Sequence, residues 1–175
     1  MNIKINAGRL RSELRRADKR PLAAGAAVMA AVGCLSFALI YMLGGSTLVY
    51  HQIALPVWAP PKFLFVFMWT LMSALIGAAT GAVICSRDGF REVDKYRGLL
   101  MFVMMSIFGF IWYPLFFVAC AFFLSFMDLL VMGALVLYTM SFYRKIYFFS
   151  AAALGVYFIW LCYVLLMNFS ILLAN

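Results

Sequence analysis

The stretch Leu55–Gly81, LPVWAPPKFLFVFMWTLMSALIGAATG, decides the fold. Its three prolines, Pro56, Pro60 and Pro61, stand ahead of an apolar run that carries one charge, Lys62. Proline fixes φ near the helical value and is well tolerated at a first helical position. The run from Pro61 to Cys85 exceeds the roughly 20 residues that cross a hydrocarbon core. It therefore reads as a transmembrane helix entered through a rigid proline corner. On that helix Phe65, Trp69, Met72 and Ile76 fall on one stripe of 3.6-residue period. Such a stripe either packs against other helices or lines a pocket, and packing is the simpler use. Gly77 and Gly81 form a GxxxG pair, which lets another helix backbone approach closely, inside the bundle or in a homodimer.

The same reading extends in both directions. Of the 175 residues 67% are hydrophobic and only 11% are charged, with a mean hydropathy of +1.04. Soluble chains are about half apolar and a quarter charged, so the excess must face lipid. Four more runs of spanning length occur, at about 21–43, 98–119, 122–142 and 147–173. The expected fold is an all-α integral membrane protein, a five-transmembrane-helix bundle over 21–175 behind a basic tail at 1–20. The first run follows a basic start, as a signal peptide does. It is long for a signal core and ends without an A-x-A site, so it reads as a retained span.

The net charge of +8 does not imply nucleic acid, because its distribution is wrong for a folded basic face. Seven of the 14 basic residues lie in the first 20 positions, and the rest flank apolar runs. Five spans put the tail, the Arg87–Arg97 loop and the Arg144-Lys145 link on one side, leaving only Lys62 on the other. That asymmetry predicts a cytoplasmic N-terminus and an outside C-terminus, in a bacterial inner membrane. The four cysteines are scattered and His51 is the sole histidine, so no metal site is expected.

The third span carries Gly109, Trp112 and Phe116 on one stripe, with Tyr113 and Pro114 beside them. The fifth carries Tyr157, Trp160, Val164 and Asn168. Tryptophans usually gather at the membrane edges. Three spans with a tryptophan well inside suggest an aromatic wall, which suits a flat apolar ligand. Asp128 is the acid inside a span, where a carboxylate costs about 2.5–3.5 kcal/mol at mid-helix. It is expected to make a structural hydrogen bond rather than to relay protons. No nucleophile with a base and no general acid/base pair is evident, so there are no catalytic residues to name.

These residues resemble the TspO/MBR family, the translocator or tryptophan-rich sensory proteins. The resemblance rests on Pro56, Trp58, Pro60 and Pro61; on Trp69 and Gly77 at the family spacing; on Trp112, Phe116 and Phe117; on Asp128, Leu129 and Leu130; and on Tyr157, Trp160, Asn168 and Asn175. Tyr50 corresponds to a tyrosine of the family's first loop. Four positions depart from the family pattern: Ser73 replaces a tyrosine, Ile76 a methionine, Gly109 an asparagine and Val156 a proline. The resemblance implies a pocket capped by the first loop, with ligand contacts from Tyr50, Trp58, Phe65, Trp69, Trp112, Phe116, Tyr157 and Trp160. It implies a membrane protein that binds, senses or transports a tetrapyrrole (a porphyrin or haem-like molecule) or a sterol-like ligand, with no cofactor required and a homodimer as a partner state. Alternatives are light-dependent porphyrin degradation, and a membrane scaffold with a vestigial pocket.

Overall fold

A computed structural model describes residue 8 and residues 12–13, 19–42, 53–86 and 91–175. Five helices follow one another: α1 (Lys19–Met42), α2 (Lys62–Ile84), α3 (Glu92–Phe117), α4 (Phe122–Ile146) and α5 (Phe148–Ala174). Each is long and apolar enough to cross a membrane, and the described residues contain no strand. α1 packs on α2, α2 on α5, α5 on α4 and α4 on α3, while the α1–α3 and α2–α3 contacts are sparse. The result is a ring of helices with one loose seam.

Local sequence explains where the helices start and turn. Pro61 leads into α2 in an extended conformation (φ −59°, ψ 146°), after which helical bonding begins. α3 starts at Glu92, ahead of the apolar run that opens at Gly98. Its first turn holds Glu92 and Asp94, whose charge suits the positive helix N-terminus. The α3–α4 corner is tight enough to hold Cys120 at φ 49°, a left-handed conformation uncommon outside glycine. α4 continues through Arg144 and Lys145 in its last turn, where cations favour the helix C-terminus. Tyr147 is extended (φ −134°, ψ 128°), and this single residue separates α4 from α5.

The α1–α2 contact depends on missing side chains. A Cβ at Gly77 would collide with the Gly25 carbonyl oxygen, and one at Gly81 with the Pro21 carbonyl oxygen. The GxxxG pair thus faces α1 within the bundle.

Polar contacts tie the two ends differently. At the basic end Lys95 donates to the carbonyl oxygens of Ile84 and Ser86, and Lys145 pairs with Asp94 at 2.9 Å. The Phe149 N–H donates to Glu13 Oε2 at 3.1 Å, so the tail reaches the start of α5. Just inside this end, Tyr143 donates to Thr80 Oγ1 (3.1 Å) and Ser150 to the Ala79 carbonyl (3.1 Å), both buried. These bonds join α4 and α5 to α2. At the opposite end the segment before α2 is fastened to α5. The Ala54 N–H donates to Asn175 Oδ1 at 3.0 Å, and the Tyr163 hydroxyl donates to the Trp58 carbonyl at 3.2 Å.

Candidate functional site

The half of the bundle away from the basic end is filled by aromatic rings. Phe65 and Trp69 lie in the first turns of α2, and Trp112 and Phe116 in the last turns of α3. The backbones of these two helices scarcely touch, so the rings reach across the space between them. Trp69 and Trp112 stack at 5.0 Å and 11°, and Trp112 and Phe116 at 5.1 Å and 19°. Phe65 sits 5.8 Å from Trp69 and 5.9 Å from Trp160 of α5. Trp160 stacks on Tyr163 (5.3 Å, 24°), which meets Trp58 edge-on at 5.6 Å. One unbroken file of ring contacts therefore runs from the loop into the membrane-spanning bundle.

The residues expected from sequence occupy distinct places along this file. Phe65, Trp69, Trp112 and Phe116 are buried, and the other three all meet Trp112. Trp160 is partly buried against them. Trp58 is 47% exposed and stands at the outer end. Tyr157 is buried beside the stack, with its hydroxyl 3.8 Å from Met132 Sδ. Tyr50 lies outside the described residues. Pro60 and Pro61 form the corner beneath Trp58 that aims α2. Tyr113, Phe37 and Tyr163 also belong to the cluster, with Phe37 of α1 5.1 Å from Tyr113. Phe37 sits in an Ala- and Gly-rich helix with no aromatic periodicity, and Tyr163 becomes visible only as the residue one turn beyond Trp160.

Beside the stack lies a cavity of about 40 Å³, bordered by Gly33, Trp69, Ser73, Gly109, Tyr113 and Tyr157. A water molecule needs about 10–15 Å³ on this measure, so the space holds water-sized guests. Of the four departures from the family pattern, Ser73, Ile76 and Gly109 border the cavity, whereas Val156 faces outward.

Several buried polar atoms here have no hydrogen-bond partner: Trp112 Nε1, Tyr113 Oη and Trp160 Nε1. An unpaired buried donor costs about 1–3 kcal/mol, more than a typical bond gains. Asp128 and Asn168 belong to the α4–α5 contact instead. Asn168 Nδ2 donates to Ser125 Oγ at 2.8 Å, leaving Asn168 Oδ1 and Asp128 Oδ2 unpaired. The described residues contain no cluster of three or more metal-ligating side chains.

Comparison with known proteins agrees with this architecture. Residues 24–173 match the TspO/MBR family. Tryptophan-rich protein TspO of Chlorobaculum tepidum is 23% identical over 149 residues, covering 81% of this chain and 93% of that protein. The match takes in all five spans, the proline corner and the ring file, and leaves out the basic tail; this integral, multi-pass membrane protein belongs to the TspO/MBR family.

Proposed function

We propose that the protein binds a flat apolar ligand of the tetrapyrrole class between α2, α3 and α5, and senses or transports it. The observation that carries this reading is the Trp69–Trp112–Phe116 stack bridging two helices whose backbones stand apart. Separation at the backbone is set by the ring of helices, while the space between is filled only by side chains. Side chains change rotamer far more readily than helices move.

A site for a small molecule encloses roughly 300–1,000 Å³, against a cavity of about 40 Å³ here. Binding therefore requires Trp69 and Trp112 to part and the ligand to slide between them. Each aromatic pair broken costs about 0.5–1.5 kcal/mol beyond its buried area, and stacking on a macrocycle face returns that contact. A sterol has no π face and returns less. The unpaired N–H and O–H groups of Trp112, Tyr113 and Trp160 favour a ligand with acceptor oxygens, as the carboxylates of a porphyrin supply. The relative is named a tryptophan-rich protein, consistent with such a wall. The lopsided basic flanks favour a cytoplasmic N-terminus in a bacterial inner membrane.

Titration with protoporphyrin IX tests the reading. Tryptophan emission of the purified protein should be quenched saturably. Trp69→Ala should weaken the apparent affinity about tenfold, or 1.4 kcal/mol. Emission that stays constant through saturating porphyrin overturns it.

A further inference from the structure

We propose that the cleft between the end of α4 and the start of α5 is a binding site for one anionic phospholipid, remote from the aromatic file. The cleft encloses about 500 Å³. Its floor is apolar, with Met140 and Phe148 standing beside the small residues Ala151, Ala152 and Gly155. Its rim is basic, with Arg144 and Lys145 in the last turn of α4.

Depth and charge both select a lipid. At 1.5 Å per residue, Gly155 lies about 10 Å below the start of α5, so the floor runs along the upper part of an acyl chain. The absence of side-chain bulk at Ala151, Ala152 and Gly155 makes the room; a Cβ at Gly155 would meet Met140 Sδ only at 3.9 Å. At the rim Lys145 is already engaged, pairing with Asp94 at 2.9 Å and lying 5.3 Å over the Phe142 ring. Arg144 is exposed and makes no ion pair or hydrogen bond among the described residues. Asp94 is taken up by Lys145 and Glu13 accepts from the Phe149 N–H, so Arg144 is the rim cation that faces a phosphodiester monoanion. A guanidinium fork binds phosphate oxygens in pairs. The start of α5 adds little to the site, because the Phe149 N–H is taken by Glu13. A basic pocket between spans, opening where headgroups lie, is a recognised mode of anionic lipid binding.

The test uses the full chain released from nanodiscs of equal phosphatidylglycerol and phosphatidylcholine, with retained lipid read by native mass spectrometry. The wild type should keep a single phosphatidylglycerol in preference to phosphatidylcholine. Arg144→Gln should lower that retention about fivefold, while Lys19→Gln, the same charge change on the same side, should not. Gly155→Leu should also abolish retention, with every charge left in place. Ala152 is exposed, so Ala152→Leu fills the cleft and keeps the fold even where Gly155→Leu does not. Equal losses in Arg144→Gln and Lys19→Gln would reduce the rim to a diffuse topology signal and overturn the proposal. Wild-type retention in the cleft-filling variants would do the same.

Discussion

At the scale of single residues, Trp112 is the hub of the aromatic cluster. It is fully buried and stacked with both Trp69 and Phe116, and its indole N–H has no partner. A residue so placed contributes packing at the cost of an unmet donor. Trp112→Ala should lower stability by about 3–5 kcal/mol on the scale of large core truncations, read as a thermal shift in detergent. Trp58→Ala, at an exposed ring, should leave the midpoint nearly unchanged. Gly109 gives a finer probe, because a Cβ there meets only Met132 Sδ, at 3.4 Å. Gly109→Leu should fill the cavity and weaken porphyrin quenching about tenfold, with the fold kept. Unaltered quenching in that variant would place the ligand elsewhere.

At the scale of elements, two kinds of contact hold the helices. α1 is held by close backbone approach at Gly25, Gly77 and Gly81, where any side chain collides with carbonyl oxygen. Gly77→Leu should separate α1 from α2 and leave the protein open to proteolysis near its first span. Gly133→Ala, whose nearest neighbours stand at 3.8 Å, should be silent in the same assay. α4 and α5 are instead bonded to α2 through Tyr143–Thr80 and Ser150–Ala79. Interhelical hydrogen bonds in membranes average about 0.6 kcal/mol. Tyr143→Phe should cost about that much in denaturant unfolding, and a much larger loss would mean that packing around the ring had also failed.

At the scale of the whole molecule, the bundle is polarised. The basic end is knitted by side-chain hydrogen bonds and the Lys145–Asp94 ion pair, while the other end is packed with rings under a tethered loop. Among the described residues the loop is tethered by Asn175 to Ala54 and by Tyr163 to the Trp58 carbonyl. If the loop is the lid of the proposed site, Asn175→Ala combined with Tyr163→Phe should raise porphyrin association and dissociation rates together in stopped-flow fluorescence. The equilibrium affinity should change far less. Unchanged rates would direct attention to the loose α1–α3 seam as the route in.

Much of this architecture was legible in the chain. Apolar runs of spanning length, separated by charges and prolines, dictate five membrane helices, because lipid leaves a backbone no other way to satisfy its own polar groups. The spacing of Trp58, Trp69, Trp112 and Trp160 likewise announces the family. Periodicity could show that Phe65 and Trp69 share a stripe, yet not whether the stripe faces lipid, another helix or a void. That depended on tertiary contacts: α2 and α3 stand apart, so Trp112 reaches Trp69 instead of a backbone, and Phe37 joins from a helix with no aromatic pattern of its own. The tail's reach to α5 and the cleft beside Arg144 are equally invisible in one dimension. Local sequence sets each helix alone, whereas the space between helices depends on how side chains from distant segments meet.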